Sequence, residues 1–424
     1  MTIKLNSGSE DALIVAIAEG IQATKITRDF LSRTMFDWAI KLNSILPEDA
    51  KEKIERHCGS GGIRSFIYHE VYAELRASPG GPKLTPGHYL GDYPTFKNSV
   101  GYAKRLVDKL KHIPIRYRAT VALPGNLAYF IINEMPSPTD LGQGISLSRG
   151  SDLPKPLPIE SNNDQINKRL FHNHINGFKG DRNLSDDVVY FSMPILGYAT
   201  HSASGALGRL FEDHIKAFYG AGMAIGLLSF DWSYSQKDDR RPFIMIHIEE
   251  GRHLIETEIL EQEICDAAFY VSTEDYAGRH QDDLWKNLKI DFNRLKTVFH
   301  DTKDGRKLFT ACIWYYRAMI SKRPLDRLLE STISIEVLLG DRQMSEGIGL
   351  SKLLGNRCAF LLGESSSQRD NIIDTFGKIY TLRSTIVHEG KHKLEPRDAE
   401  TVDSAIKLCG QIIEKELRVR SNTM

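Results

Sequence analysis

From Lys307 onward, apolar residues recur at helical spacing in five successive blocks, and nothing else in the chain narrows its fold as much. The blocks run over 307–321, 324–339, 349–362, 368–388 and 396–417. Pro324 stands where a helix starts, a place at which its missing N–H costs nothing. Gly340, Gly363 and Gly390 each follow an apolar run, as C-terminal caps do. Helices joined by such short connections pack as an antiparallel bundle, expected here over 305–424.

The first 280 residues have a different texture and predict a mixed α/β region that can divide into two subdomains. Residues 10–57 read as helical, with Phe30, Leu31, Met35, Trp38, Ala39, Leu42 and Leu46 near a helical period between Thr27 and Leu46. Residues 113–132, 188–199 and 243–250 read as strands, and 205–219 as a helix. Pro136, Pro138, Pro154, Pro156 and Pro158 mark 136–163 as a long loop. A connecting helix is expected within 281–304. The fold class is therefore α+β, a mixed α/β N-terminal region followed by an all-α bundle.

Composition closes off several functions. Lys+Arg and Asp+Glu are equal at 55 each, so no global field draws the protein to nucleic acid or membrane. Cys58, Cys265, Cys312, Cys358 and Cys409 are scattered without CxxC spacing, which argues against a disulfide framework or a structural zinc. No apolar run approaches the length of a membrane span, and the N-terminus is not a signal peptide, so a cytoplasmic protein is expected. The string FHNHINGF (171–178) offers an H-x-H pair without a third ligand, and YGAGMAIGLLSF matches no phosphate-binding loop. Neither a metal nor a cofactor is expected.

The chemistry-bearing candidate is an Arg followed five residues later by a His. That spelling occurs four times, at Arg64…His69, Arg169…His174, Arg209…His214 and Arg383…His388, so context must choose. Around Arg383, a helical wheel puts Ile372, Ile373, Phe376, Ile379, Tyr380, Ile386 and Val387 on one apolar stripe with Arg383 inside it. A guanidinium there faces a cleft, a second subunit or a buried counter-charge; the structural alternative is an Arg383–Glu336 ion pair with His388 capping the helix end. His388 falls about 140° round the helix, in the last turn, where the helix dipole favours an imidazolium. Fixed positive charge beside a titratable imidazole suits metal-free RNA cleavage. Histidine moves the 2′-hydroxyl proton and arginine grips the phosphate; DNA, lacking that hydroxyl, is spared. Arg64…His69, in GGIRSFIYHEVY, repeats the R-S-apolar-apolar spelling and is the candidate second site.

The run IYTLRSTIVHEG (379–390) resembles the helix signature of the ApeA-like group of HEPN domains. LLESTISIEVLLG (328–340) resembles the group's second helix, with Glu336 at its acidic position. GLSKLLGNRCAFLLG (349–363) resembles its third, with Arg357 at its basic one. The resemblance covers about 120 residues at the C-terminus. It implies a helical bundle, a homodimer, an RNA substrate, and an active site built from Arg383 and His388 of both protomers. Ser384, Tyr380, Glu336 and Arg357 would support that site, Glu336 and Arg357 as an ion pair orienting their helices. It also implies a toxin-like endoribonuclease in anti-phage abortive infection, with a phage-derived trigger sensed elsewhere. Ser384 stands where active HEPN nucleases often carry Asn, Asp or His, and the first 300 residues resemble nothing identifiable. A non-enzymatic alternative keeps the bundle as a dimerising module beneath an N-terminal domain that binds a phage protein or nucleotide signal. A third reading has the cleft accept nucleotides from a partner transferase, with Tyr380 or a neighbour as acceptor.

Overall fold

A computed structural model describes residues 2–26, 33–59, 61–77, 87–123, 136–153, 188–199, 206–232, 243–248, 254–259, 261, 263–264, 267, 270–280, 283–341, 349–390 and 392–422. The chain opens with four helices: α1 (Ser7–Ala23), α2 (Glu48–Cys58), α3 (Gly62–Ala77) and α4 (Ser99–Lys111). Asn6 starts α1 by accepting the Ser9 N–H (2.7 Å), and Asn98 starts α4 by accepting that of Gly101 (2.9 Å). The expected α-helical period between Thr27 and Leu46 resolves instead into a 3-10 helix over Arg33–Ser44, kinked at Phe36. Residues 27–32 lie outside the described residues. Leu13, Ile17, Phe36, Phe66, Val71, Tyr102 and Leu106 form the buried core of this helical unit.

A six-stranded antiparallel sheet follows, in the order β2-β3-β4-β1-β6-β7. Its strands are β1 (Ile115–Ala122), β2 (Thr139–Gly142), β3 (Ile145–Arg149), β4 (Val189–Gly197), β6 (Phe243–Ile248) and β7 (Leu254–Ile259). Two short strands, β5 (Ser229–Phe230) and β8 (Val271–Ser272), pair separately. Strand alternation puts Tyr117, Ala119 and Val121 beside Ile195, Met193 and Phe191 on the core face. Helix α5 (Ala206–Ala224) covers that face with Phe211, Ile215 and Phe218.

The expected loop over 136–163 is partly wrong, because residues 139–149 form the β2–β3 hairpin. Prolines on either side hid a short alternation in which Leu141, Ile145 and Leu147 are buried. The turn takes positive φ at Gly142, Gln143 and Gly144 (89°, 54° and 75°), which two glycines make affordable. Strand β7 was also unforeseen.

A short helix, α6 (Glu274–Arg279), leads into the bundle: α7 (Leu284–Val298), α8 (Lys303–Ile320), α9 (Pro324–Leu339), α10 (Leu350–Leu362), α11 (Ser366–Glu389) and α12 (Ala399–Ser421). The protein is thus α+β, with its sheet between residues 115 and 259 and helices alone at the C-terminal end. The apolar cores divide elsewhere than at 280 and 305. One core belongs to α1–α4, and a second runs unbroken from β1 to α12. Helix α7, expected as a connector, buries Leu288, Phe292, Leu295 and Val298 in this second core. Among the described residues, no helix is long and apolar enough to cross a membrane.

Candidate functional site

Helix α11 is fixed at both ends by its own sequence. Ser365 accepts the Gln368 N–H (3.2 Å) while the Gln368 side chain accepts the Ser365 N–H (3.2 Å), a reciprocal capping box. At the other end Gly390 adopts a left-handed conformation (φ 70°, ψ 25°) and stops the helix directly after His388 and Glu389. Phe376, Ile379 and Ile386 bury one face, with the Phe376 ring packed over Gly355 of α10. Each such apolar side chain contributes about 1.5–3 kcal/mol.

The adjoining face departs from the expected buried stripe. Ile373 and Val387 are 38% and 49% exposed, and a Cβ added at Gly377 would meet nothing within 4 Å. Tyr380 and Ser384 are half-buried along the same line. Ile373, Tyr380 and Val387 are spaced by seven residues, so they align along the helix as a seam for another helix. On α10, Phe360 is 80% exposed and carries the Arg369 guanidinium over its ring at 5.9 Å. The sequence reading missed Phe360 and Arg369; the seven-residue spacing was the signal that separates this seam from the buried face.

Arg383 lies between the two faces. Its Nη2 is 3.4 Å from Oε1 of Glu336 on α9, with the two side chains 20% and 22% exposed, and its guanidinium stands 5.7 Å from the Tyr380 ring centre. The pairing is incomplete: Arg383 Nε and Glu336 Oε1 are buried without a hydrogen-bond partner. Burial raises the Glu336 carboxyl above its ordinary pKa, and the Arg383 charge pulls it back. Burial also raises the Tyr380 phenol, with Glu336 pushing the same way. His388 is exposed, and among the described residues its imidazole takes no hydrogen bond or ion pair. Within one chain, then, Arg383 is held and His388 is presented to solvent.

Arg357 corrects the expected Glu336–Arg357 pair. It donates from Nη1 to the Leu339 carbonyl and lies 3.9 Å from Asp341, so it ties down the end of α9. Arg383, rather than Arg357, is the ion-pair partner of Glu336. A cation at a helix C-terminus meets orphan carbonyls and the negative end of the dipole, and that outcompetes a reach along α9.

Two of the other Arg–His spellings make structural contacts. Arg64 pairs with Asp37 of the 3-10 helix at 2.7 Å, whereas His69, 2% exposed, is buried against the Tyr68 ring. His214 lies parallel to Phe299 (ring centres 6.0 Å) and meets Phe309 edge-on, its Nδ1 donating to the Leu210 carbonyl. Burial lowers its pKa. Arg169, His174 and the 171–178 string lie outside the described residues. Among the described residues, no group of three or more His, Cys, Asp or Glu side chains could hold a metal ion. Cys58, Cys312, Cys358 and Cys409 are buried free thiols. The chain matches no protein-family model, no curated protein and no solved structure.

Proposed function

We propose that the protein is a HEPN-type, metal-independent endoribonuclease acting as a homodimer, with Arg383 and His388 of both protomers in one cleft. The observation that carries this reading is a single helix with three features. It has a half-buried, incompletely paired arginine, an exposed histidine at its C-terminal end, and an exposed apolar seam between them. A second copy of the seam, crossing near Gly377 and Ser384, would cover Ile373 and Val387 and bring the two helices' charged groups together. Phosphate oxygens would take the donors that Arg383 leaves unused.

In this cleft a neutral His388 accepts the ribose 2′-hydroxyl proton as the 2′-oxygen attacks phosphorus. The P–O5′ bond breaks, the 5′-oxygen takes a proton from the imidazolium so formed, and a 2′,3′-cyclic phosphate and a 5′-hydroxyl result. Arg383 balances the charge gathering on the phosphoryl oxygens. Tyr380 and Glu336 orient the guanidinium; Ser384 lines the seam. The resemblance of 328–390 to ApeA-like domains extends the reading to a cytoplasmic effector of anti-phage defence. The N-terminal helical unit and sheet would receive the trigger.

The alternative, a dimerising module without catalysis, draws on one observation: Glu336 already neutralises Arg383 within the chain. Total RNA from bacteria induced for wild type, Arg383→Ala and His388→Ala separates the two. The nuclease reading expects fragmentation by wild type alone, each variant remaining dimeric by light scattering. Intact RNA with all three proteins, even under phage challenge, overturns it.

A further inference from the structure

The contact between Glu336 and Arg383 differs from a finished buried ion pair. On α7, Asp291 shows the finished kind: Arg294 Nη1 donates to its Oδ1 and the Tyr276 hydroxyl to its Oδ2, each at 2.8 Å. Glu336 lacks such a set. Arg383 Nη2 lies 3.4 Å from its Oε1, beyond the roughly 2.7–2.9 Å of a charge-assisted hydrogen bond. Among the described residues, that oxygen and Arg383 Nε are buried with no hydrogen-bond partner.

Helix α9 does not depend on this contact for its place. Ser334 Oγ donates to the Ala311 carbonyl of α8 at 2.8 Å, and Arg357 holds the Leu339 carbonyl. Leu328, Ile335 and Leu338 anchor the helix in the core. What the contact does is offset charge: a carboxylate faces the guanidinium that the proposed site needs for phosphate.

We propose that Glu336 is a built-in brake on Arg383: its carboxylate stands in for an RNA phosphate in the empty site, and RNA binds against its repulsion. The proposal rests on the nuclease reading of Arg383 and states how that same site is restrained. A guanidinium has several N–H donors, so a phosphate oxygen can reach Nε while Glu336 remains. Arg383 then sits between two anions. With the phosphate about 6 Å from the carboxylate and an effective dielectric of roughly 20, the repulsion weakens binding about tenfold or more. Tyr380 stands against the same guanidinium, its ring centre 5.7 Å away, and keeps it aimed when the carboxylate is gone.

Binding of a fluorescein-labelled 2′-O-methyl oligoribonucleotide to the full-length protein tests this by anisotropy. That probe lacks the attacking hydroxyl and stays intact. Two neutral variants, Glu336→Gln and Glu336→Ala, are expected to bind about tenfold more tightly than wild type at about 50 mM salt. Their log affinity should also fall more steeply with log salt, by about 0.7 for each phosphate contact regained. Arg383→Ala should bind more weakly than wild type. Adding Glu336→Gln to it should change nothing, because the brake acts through Arg383. The brake is overturned if neither neutral variant binds more tightly, or if the gain survives without Arg383. Weaker binding by Arg383→Ala would still uphold the reading of the site in either case. If Arg383→Ala binds as well as wild type, Arg383 is no phosphate contact, and the reading and the brake fall together.

Discussion

Two helices of this chain carry nearly the same words, RSFIYH on α3 and RSTIVH on α11, and the fold uses them in opposite ways. On α3 the arginine is the outer residue, paired with Asp37, and the histidine is the inner one, at 2% exposure. On α11 the arginine is half-buried against Glu336 and the histidine faces solvent. Five residues along a helix turn through about 140°, so the two side chains can never share a face. Which of them is buried depends on which side of the helix meets the core. An exposed His beside a held Arg can engage a substrate; a buried His beside a surface Arg cannot. Spelling leaves that choice open, and packing makes it.

The sharpest way to break the comparison is activity. If only α11 bears a site, Arg64→Ala leaves RNA cleavage at the wild-type level, while Arg383→Ala and His388→Ala each lower it by about 10²–10⁴-fold. Equal losses at Arg64 would mean that the α3 spelling also reaches substrate. Stability should show the reverse order. His69→Ala empties a buried site beside the Tyr68 ring, and should cost about 2–4 kcal/mol in urea unfolding. His388→Ala, at an exposed position, should stay within about 0.5 kcal/mol. A destabilised His388→Ala would turn that histidine into a structural cap and weaken the nuclease reading.

The Glu336–Arg383 pair sharpens the contrast further, at a smaller scale. Glu336→Gln keeps the shape but removes the charge, and because burial outweighs the Arg383 attraction the variant is expected to be as stable as wild type, or slightly more so, at neutral pH. The burial-raised carboxyl adds a second signature. A raised folded-state value means that the neutral form is the favoured one. Its contribution is therefore present at low pH and is lost as pH rises through that value. Glu336→Gln should flatten this part of the stability–pH curve. An unchanged curve would show that Arg383 takes its charge balance from elsewhere.

How much of this could be seen beforehand follows from which physics is local. The boundaries of α9 agree with the expected block because Pro324 and Gly340 punctuate it, and α11 because a capping box and Gly390 do. The β2–β3 hairpin was hidden since its evidence, three buried residues and two glycines, is shorter than the proline pattern around it. The helical wheel places Arg383 as a charge among apolar residues, and the structural alternative names Glu336 as its partner; the preferred pairing of Glu336 with Arg357 does not form. Arg357 illustrates the limit. Its sequence distance to Glu336 and to the carbonyl of Leu339 is similar, and only the path of the backbone beyond α9 decides between them. The contacts of Lys216 and Glu212 with Glu261 left no trace in periodicity, because they join residues 45 and 49 positions apart.

The smallest effect tests the α3 side of the comparison. Arg64 and Asp37 meet at 2.7 Å with side chains 29% and 53% exposed, so water and salt screen most of the attraction. Asp37→Asn should cost at most about 1 kcal/mol at low ionic strength, and the difference should vanish toward 1 M salt, where the screening length falls to about 3 Å. Urea unfolding of wild type and variant at two salt concentrations measures it. A cost that is larger and indifferent to salt would mean that the pair pins the 3-10 helix to α3. Arg64 would then have a structural duty as firm as that of Arg383, and exposure alone would no longer separate the two spellings.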